Sequence, residues 1–529
     1  MRCSVALGLA VCLFVGGGCD ASDGTVNEAP DASSHDAAAP IQDAAPPPPE
    51  DGGSVQPVDA TPPADTGVTP PVDAAMPVKP GDPIDAGPTS PGTITVTPGT
   101  TAGQIPAGFI GLSYEKTQLT TGLFSASDAP LIALFQLVGG GVLRMGGNQV
   151  DRSEWYSAPS SDASADSTIT KAEVDDLSGF AKASGWKVVY GVNMKLSSPA
   201  VAADETSYAV TSLGASLAGL ELGNEPDLYS GTVMSPTWSY SAFKTQWSSF
   251  ASAVLAASPG APLTGPASAA NYSSWTVPFA SDLGSKVQLL TQHYYRGNGQ
   301  DSSSTVQELL TPDANLSKEL DALHTAAQGA NIAGGFRLAE CNSYYNGGAP
   351  NVSDAYGTAL WVIDFLFQNA QHGSAGVNFH GGGSGPGYTP IADSNGAVVE
   401  ARPEFYGILL FSMAGQGTLF KTAVSVTNSL NVTAYAVGAS DGSTNVVVVS
   451  KDANTGIHAT IDLGATATTA GVLYLQGPAL DATSGVTLGS SGISPAGSFT
   501  PTGLIPLAVS GTKVTVDVPA AAAAIIHAK

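Results

Sequence analysis

The feature that most constrains the fold is an alternation of short apolar runs with helical patterns across the middle of the chain. The apolar runs are predicted to be strands, and apolar residues recur at helical spacing between them. Eight such units in about 300 residues predict an α/β fold, a (β/α)8 TIM barrel, over residues 93–415. The predicted strands are 109–115, 141–148, 187–193, 217–225, 261–267, 287–295, 335–342 and 376–380, and the predicted helices include 171–183, 242–257, 316–327, 355–370 and 404–414.

A doubly wound open sheet is the alternative reading of the same alternation. That fold would need a phosphate-binding or dinucleotide-binding loop to carry a function. The glycine run 139–141 precedes a strand instead of following one, and the run 381–387 lacks the Lys-Ser/Thr of a P-loop. Both runs are better explained as turns in which the backbone approaches other groups closely.

The hydrophobic period changes from 3.6 to 2 near Leu419, which predicts a second domain. Gly, Asp and Ser turns separate the apolar segments there, and this pattern is typical of an appended antiparallel β-sandwich over 416–529. The first strand, 93–99, has no partner in a barrel and is expected to join the sandwich. The predicted strands are 425–437, 445–450, 459–463, 472–475 and 513–518.

The first 19 residues have the features of an export signal. A basic residue is followed by an apolar stretch and by small residues before Cys19, and the stretch is too short for a stable membrane span. This end resembles a bacterial lipoprotein cleavage site, which would make Cys19 the lipidated N-terminus. The alternative is ordinary cleavage without a lipid. We therefore expect an exported protein that is anchored to the cell envelope by lipid, or otherwise secreted.

Residues 20–92 have the composition of a disordered linker. They contain 13 acidic residues, one lysine, 16 of the 37 prolines and no aromatic residue. Such a segment cannot bury enough apolar surface to offset the entropy of ordering it. Proline runs favour extended conformations and the acids repel each other, which predicts a stiff, solvated spacer.

The charge balance excludes several classes of partner. The chain has 44 acidic residues against 19 Lys and Arg, a formal net charge of −25, of which about −14 falls on residues 93–529. Nucleic acids, sulfated polymers and anionic membrane surfaces all attract basic residues, so none is expected as an electrostatic partner. Only Cys341 remains beyond residue 19, so the folded part is predicted to have no internal disulfide.

Polar side chains end most of the predicted barrel strands, where barrel enzymes carry their active sites. Glu225 and Glu340 end the fourth and seventh strands, which face each other across such a barrel. Two carboxylates about 5–5.5 Å apart are what cleavage of a glycosidic bond with retention requires. The histidines and cysteines lack metal-ligand spacing, and no Gly-x-Ser-x-Gly follows a strand, so no metal and no cofactor is predicted.

Several short motifs resemble those of a known family. Asn224-Glu225-Pro226 is similar to the acid/base motif of the large retaining clan of (β/α)8 glycosidases, and Glu340 resembles its nucleophile. More narrowly, residues 93–529 resemble glycoside hydrolase family 79, the β-glucuronidases that include heparanase. The supporting stretches are FIGLSYE (109–115), LRMGGN (143–148), LELGNEPD (220–227), QHYY (292–295), LAECNSYYNGG (338–348) and NFHGGG (378–383).

The resemblance implies roles for individual residues. Glu225 would be the acid and base, Glu340 the nucleophile, and Asn224 would bind the sugar 2-hydroxyl. Tyr295 would orient Glu340; it is preferred to its neighbour because alternation places it on the face of His293. In family members a tyrosine and a glycine backbone amide in the loop after the nucleophile bind the glucuronate carboxylate, and Tyr345 and Gly347 stand at the corresponding offsets from Glu340. A hydroxyl and a glycine amide can hold a carboxylate without a cation. The residues expected to line the sugar pocket are Glu115, Asn148, His380 and Tyr388.

Four other residues are expected to have structural roles and not to bind sugar. Arg144 is expected to hold a barrel carboxylate in an ion pair. Cys341 follows the nucleophile on the opposite face of its strand and is expected to be buried and inert. Trp155 and Trp238 are expected to pack in the core, not to stack on sugar.

The sequence therefore predicts a retaining, exo-acting β-glucuronidase for terminal β-D-glucuronic acid or its 4-O-methyl form. The domain lacks a basic cluster, which disfavours heparan sulfate as the substrate. Two alternatives stay open. One is a glycosidase of the same clan acting on a neutral sugar, such as a β-xylosidase, which would not need Tyr345 and Gly347. The other is a non-catalytic surface lipoprotein that binds carbohydrate.

Overall fold

The structure, a computed structural model, describes residues 84–157 and 167–529. The predicted signal peptide (1–19), its Cys19 and most of the predicted linker (20–92) lie outside these residues. Within the described ranges, no helix has both the length and the apolarity that crossing a bilayer requires.

The elements follow the predicted alternation and then the predicted change to strands. Up to Gly381 the strands are β1 (Thr89–Ile105), β2 (Ile110–Glu115), β3 (Val142–Gly146), β4 (Ser153–Trp155), β5 (Ser167–Ile169), β6 (Lys187–Val192), β7 (Leu217–Leu222), β8 (Leu263–Ser268), β9 (Leu289–Asn298), β10 (Phe336–Tyr345) and β11 (Val377–Gly381). The helices are α1 (Ala129–Leu137), α2 (Lys171–Ser184), α3 (Pro199–Leu213), α4 (Tyr240–Ala257), α5 (Thr276–Leu283), α6 (Val306–Leu309), α7 (Ala314–Gly329), α8 (Tyr356–Gln371) and α9 (Pro403–Ala414). The remaining strands are β12 (Ile391–Ser394), β13 (Ala397–Ala401), β14 (Gly417–Val426), β15 (Val432–Gly438), β16 (Thr444–Ser450), β17 (Gly456–Asp462), β18 (Ala470–Gln476), β19 (Thr487–Leu488), β20 (Ile505–Pro506), β21 (Val509–Ser510), β22 (Lys513–Val518) and β23 (Ala522–Ala528).

Eight parallel strands close into a barrel in the order in which they occur in the chain. They are β2, β3, β6, β7, β8, β9, β10 and β11, and β11 pairs with β2 to complete the circle. Each of the eight predicted strands overlaps its observed counterpart, so the predicted (β/α)8 barrel is confirmed and the open sheet is wrong. Closure brings the carboxyl ends of all eight strands to one face, which carries the candidate site.

The helices outside the barrel begin and end at residues suited to those positions. In α2, Thr170 and Glu173 form a capping box, and Gly185 ends the helix in the left-handed conformation at φ 78°. The buried face of α2 includes Val174, Leu177 and Phe180, which pack in the main hydrophobic core.

A buried arginine closes the amino-terminal end of the barrel. The Arg337 guanidinium donates hydrogen bonds to the carbonyls of Gly108 (3.0 Å), Phe109 (3.1 Å) and Ala375 (3.3 Å) and to the side-chain oxygen of Asn378. Burial lowers the pKa of Arg337 to about 9. Arg337 and its hydrogen-bond partners lie at the end of the barrel opposite the candidate site.

The second domain is a single curled sheet of eleven strands. The prediction of an appended β-domain is confirmed, and the sheet curls around its own apolar core, which includes Ile94, Val448 and Ile461. β1 lies in the middle of the sheet, antiparallel to β14 and parallel to β17, so one pair in the predicted antiparallel domain is parallel.

Three details of this domain differ from the sequence prediction. The predicted strand 425–437 is wrong, because Asn428 and Ser429 form a turn with positive φ between β14 and β15. The first strand is longer than 93–99 and begins at Thr89, inside the segment assigned to the linker. The alanine-rich β23 was not predicted, although it pairs with both β16 and β18.

A buried ion pair joins the two domains. Asp364 of α8 accepts hydrogen bonds from Thr433 (2.5 Å) and Tyr435 (3.0 Å) of β15, and its other oxygen pairs with Lys451. The Lys451 side chain is 1% exposed and that of Asp364 is 11% exposed. The pair is therefore shielded from solvent screening.

We expect Lys451→Met to lower the free energy of unfolding by about 3 kcal/mol, because it leaves a buried, unpaired carboxylate. Urea unfolding would measure the change, with Lys513→Met on the exposed face of β22 as the control. The double variant Lys451→Met/Asp364→Asn should recover part of the loss. A loss below about 1 kcal/mol in the single variant would contradict this prediction, since exposed pairs contribute no more than that.

Candidate active site

Two glutamates meet at the carboxyl end of the barrel. Glu340 lies within β10, and Glu225 follows β7 in a left-handed conformation at φ 51°. The Glu225 amide donates to the Ala267 carbonyl at 2.9 Å, which fixes its backbone to the end of β8. One carboxylate oxygen of each glutamate and a ring nitrogen of His293 all lie within 4.8 Å of one another.

Glu340 is buried among hydrogen-bond donors. Arg144 donates to its Oε2 at 2.7 Å and the Tyr295 hydroxyl donates to its Oε1 at 2.8 Å. Nδ1 of His380 and Nδ1 of His293 lie 3.8 and 3.9 Å from Oε2. Burial alone would raise the pKa of Glu340, but His380, His293, Arg144 and the tyrosine hydrogen bond together hold it well below its usual range. Glu340 is therefore ionised across the neutral pH range.

Glu225 has a different environment. Its side chain is 15% exposed, against 8% for Glu340, and its Oε1 lies 3.0 Å from Nδ1 of His293. His293 is fully buried, and its Nε2 has no hydrogen-bond partner among the described residues. The two carboxylates thus differ in what surrounds them, which suits them to different tasks.

Arg144 connects three strand ends. Its guanidinium donates to Glu221 of β7 (2.5 Å), to Oδ1 of Asn224 (2.8 Å) and to the Ser113 hydroxyl (3.2 Å), besides Glu340. Although burial lowers the pKa of Arg144, Glu221 and Glu340 raise it above its ordinary value. The expected ion pair of Arg144 with a barrel carboxylate is present, and one of its two carboxylates is Glu340.

Asn224 is held from three sides. Besides accepting from Arg144, it donates from Nδ2 to Oδ1 of Asn148 at 3.2 Å, and its backbone amide donates to the Tyr229 hydroxyl at 3.0 Å. That hydroxyl donates in turn to Asp151. Burial raises the pKa of Asp151 to about 6, and the bond from Tyr229 acts in the opposite direction. The Asn224 amide is therefore fixed in orientation beside Glu225.

Glu115 and His380 form the next part of the wall. Oε2 of Glu115 accepts from the Gln149 amide at 2.7 Å, and its Oε1 lies 3.7 Å from Nε2 of His380. Nδ1 of His380 lies 3.1 Å from the Ser113 hydroxyl. Burial lowers the pKa of His380, but Glu340 and Glu115 raise it more, so the net shift is upward. A cationic His380 would compensate part of the negative charge of Glu340.

Three tyrosines and a glycine turn form the rim. The Tyr295 ring centroid lies 6.4 Å from that of Tyr345 and 5.8 Å from that of Tyr388. Tyr345 is 45% exposed. Gly347 has φ 81°, which favours glycine, and its carbonyl accepts from the Tyr388 amide at 3.1 Å. The segments that hold Tyr345 and Tyr388 therefore meet at the mouth of the barrel.

The structure brings nearly all the predicted site residues to this one face. Cys19 alone lies outside the described residues. Cys341 is buried, as expected, with Sγ 3.4 Å from the Asn378 carbonyl. Trp155 is buried, and the Trp238 indole donates to the Pro226 carbonyl, so both pack within the protein.

Two contributors were missed from the sequence. Glu221 lies on β7, and strand alternation would place Glu221 and Glu225 on one face, so the spacing held a usable signal. The sequence predicts no role for His293, since only closure of the barrel shows that it lies between the two glutamates. The Tyr295 hydroxyl contacts Glu340, whereas the Tyr294 hydroxyl donates to Asp313 at 2.6 Å.

The site could also be considered for a metal ion. Glu225, His293 and Glu340 offer three ligand atoms within 4.8 Å, which is a compact set. However, the Arg144 guanidinium already lies 2.7 Å from Oε2 of Glu340 and would repel a cation there. The arrangement fits a pair of reacting carboxylates better than a metal centre.

Comparison with curated proteins finds two β-glucuronidases. The chain is 26% identical over 218 residues to the enzyme of Neurospora crassa, which covers 37% of this chain and 39% of that protein. It is 25% identical over 257 residues to the enzyme of Aspergillus niger, covering 42% of this chain and 46% of that protein. The match thus spans less than half the length of either relative, and no protein-family profile matches the chain.

Solved structures share the whole fold. A 4-O-α-L-rhamnosyl-β-D-glucuronidase from Fusarium oxysporum aligns with a TM-score of 0.69 at 20% identity, covering 82% of this chain and 99% of that one. A family 51 α-L-arabinofuranosidase from Bifidobacterium longum aligns at 0.62 and 16% identity, covering 83% and 100%. At these identities the likeness establishes the fold: a barrel with an appended β-domain.

Proposed function

We propose that the protein is a retaining, exo-acting β-glucuronidase of the kind found in glycoside hydrolase family 79. It would hydrolyse terminal β-D-glucuronic acid, or its 4-O-methyl form, from glycans or conjugates. The observation that carries the proposal is the pair of glutamates, whose carboxylate oxygens lie within 4.8 Å in unlike environments. The two β-glucuronidases among the curated relatives support the substrate class.

In the first half of the reaction, Glu340 attacks the anomeric carbon while Glu225 protonates the departing oxygen. The short separation favours this route, since an inverting enzyme needs about 6.5–9.5 Å between its carboxyl groups to admit a water molecule. Glu340 suits the nucleophile because Arg144 and Tyr295 keep it ionised and fixed in place. Glu225 is assigned the acid because Arg144 and Tyr295 contact Glu340 instead, and because Asn224-Glu225-Pro226 resembles the acid/base motif of the clan.

In the second half, water attacks the glycosyl-enzyme ester and Glu225 takes its proton. The C–O bond to Glu340 breaks and the sugar leaves with its original anomeric configuration. Asn224, fixed by Arg144 and Asn148, would hydrogen-bond the sugar 2-hydroxyl in both transition states. Glu115, His380 and the rim tyrosines would line the remaining sugar pocket.

Recognition of the glucuronate carboxylate is assigned to the rim. Arg144 already pairs with two carboxylates of the protein, and His380 lies beside Glu340, so we assign the task to hydroxyls and backbone amides of the rim. Tyr345 and Gly347 lie at the mouth, beside Tyr295 and Tyr388, and would supply such donors. We also propose that the protein is exported and held by a lipid at Cys19, with the residues between Cys19 and β1 as the spacer.

A neutral-sugar glycosidase is the second candidate, and it is favoured by one observation. The fold is shared with α-L-arabinofuranosidases, and arabinose is a neutral sugar. The two candidates share Glu225 and Glu340 and differ in what Tyr345 and Gly347 do.

We expect the protein to prefer p-nitrophenyl β-D-glucuronide to the β-D-xyloside, and Tyr345→Phe to lose most of that preference. A hydrogen bond to a charged group contributes about 1.5–3 kcal/mol, so kcat/KM for the glucuronide should fall by about 10- to 100-fold. The xyloside value should change by less than about threefold, since that sugar lacks the carboxylate. Tyr156→Phe, at an exposed tyrosine elsewhere, is the matched control.

A wild-type preference for the xyloside would overturn the glucuronidase proposal and leave the neutral-sugar candidate. Equal losses on both substrates in Tyr345→Phe would instead remove Tyr345 from carboxylate recognition.

A further inference from the structure

The aspartate two residues after Glu225 accepts hydrogen bonds from four amide groups. Asp227 lies in the short turn Pro226–Leu228 and is half-buried. Its Oδ1 accepts from the Ala269 amide at 2.8 Å. Its Oδ2 accepts from the Ala270 amide at 3.1 Å and from the backbone and side-chain amides of Asn271 at 3.2 and 3.0 Å. Four donors from one segment thus converge on one carboxylate.

The backbone of Glu225 needs support from outside its own strand. Its φ of 51° lies in the left-handed region, which costs free energy for a residue with a Cβ and persists only where surrounding contacts impose it. Its carboxylate contacts His293, but two rotatable bonds separate that group from Cβ. The position of the carboxylate therefore depends on how firmly residues 224–228 are held.

The strand ladders end before the glutamate. β7 pairs with β8 at Leu220 and Glu221, and its ladder with β6 ends at Leu222. Past that point, the attachments to the end of β8 are the Glu225 amide on the Ala267 carbonyl and the four donors on Asp227. Both attachments run to the segment 267–271.

We propose that Asp227 is a positioning residue for the general acid. Its carboxylate fastens the turn after Glu225 to the segment 269–271, and this keeps the Glu225 carboxyl where it can protonate the departing oxygen. Asp227 itself touches no substrate. The inference rests on the proposed role of Glu225 but applies to any sugar that the site accepts.

The negative charge of Asp227 is essential to this role. All four partners are N–H donors, so a residue that only accepts hydrogen bonds satisfies every one of them. In Asp227→Asn, one oxygen becomes an NH₂ group that faces donors, and the charge assistance is lost. Asp227→Glu keeps both oxygens, although its longer side chain fits less well.

The test compares leaving groups. Protonation by the acid matters little when dinitrophenolate departs and strongly when phenolate departs, because a general acid contributes about 10²- to 10⁴-fold where it is needed. We expect Asp227→Asn to lower kcat/KM for phenyl β-D-glucuronide by about 100-fold and for the 2,4-dinitrophenyl glycoside by less than about fivefold. Asp227→Glu should recover part of the phenyl rate.

The matched control is Asp452→Asn. Asp452 also accepts backbone amides, from Asn454 (3.0 Å) and Thr455 (2.9 Å), but it lies in the β-domain. We expect kcat/KM for both substrates to be the same in this variant as in the wild type. An equal loss on both substrates in Asp227→Asn would overturn the inference, because a residue that only stabilises the fold lowers all rates by one factor.

Hydrogen exchange separates this inference from the proposed function. If wild-type protein turns over no glucuronide, the proposed function fails, and exchange at residues 224–228 then decides the inference by itself. Faster exchange there by about tenfold or more in Asp227→Asn, with Asp452→Asn unchanged, would support the positioning role. Unchanged exchange at these residues would overturn it.

Discussion

Glu340→Ala is expected to abolish turnover of aryl β-D-glucuronides, with kcat reduced by roughly 10⁴- to 10⁶-fold, as for loss of a nucleophile in other hydrolases. The side chain is the group placed to attack the anomeric carbon, and Arg144 and Tyr295 are arranged around its two oxygens. Steady-state kinetics with p-nitrophenyl β-D-glucuronide would measure the loss. Glu173→Gln, in the capping box of the outer helix α2, is the control and should retain full activity.

A small nucleophile should then identify what Glu340 does. The Ala variant leaves space on the face of the sugar from which the carboxylate attacks, so added azide should restore turnover and give the α-glucuronosyl azide. Because the azide displaces the aryl group directly, the product has the inverted configuration. Activity in Glu340→Ala above about 1% of wild type without azide would contradict the assignment.

The second large effect is expected for Glu225→Ala, with a loss of roughly 10²- to 10⁴-fold that depends on the substrate. The loss should be greatest for phenyl glucuronide, which needs protonation of its leaving oxygen. With 2,4-dinitrophenyl glucuronide the first step should stay fast, and the glycosyl-enzyme should accumulate because no base activates water. A burst of dinitrophenol in stopped-flow measurements would show this.

Azide should distinguish the two glutamates by the anomer that it yields. In Glu225→Ala it intercepts the ester on Glu340, and two displacements in succession give the β-azide. The β-azide from Glu340→Ala and the α-azide from Glu225→Ala would show that the two roles have been exchanged. Glu173→Gln again serves as the control, with neither a burst nor an azide product.

The barrel could be predicted because its strands are buried on both faces. Such strands are continuous apolar runs, and all eight predicted runs overlap barrel strands. Closure then brings strand ends together whatever their separation in the chain. This is why Glu225 and Glu340 could be paired from the sequence, and why the structure finds their carboxylates within 4.8 Å.

Strand β23 could not be predicted from local preference. Its sequence is mostly alanine, the residue with the highest helix propensity, yet it lies between β16 and β18 with nearly every side chain buried. Burial between two strands outweighs a local preference of less than about 1 kcal/mol per residue. The turn at Asn428 was not predicted because apolar residues on both sides of it continue the strand pattern.

The electrostatic details of the site were also beyond the sequence. Arg144 was expected to pair with a barrel carboxylate, but its hydrogen bonds to Glu221, Glu340 and Asn224 together depend on the tilt of three strands. Asp227 follows the Asn224-Glu225-Pro226 motif, but the groups that donate hydrogen bonds to it belong to residues more than 40 positions away. Long-range contacts of this kind leave no local pattern.

The position of β1 has consequences for folding and for limited proteolysis. β1 is synthesised first, but its partners are β14 and β17, and Gly92 pairs with Val426. The barrel is thus an insertion within the β-domain, and closing so long a loop makes folding of that domain slow compared with the local βα units. A single proteolytic nick between α9 and β14 would leave both fragments bound to each other through the ladders of β1.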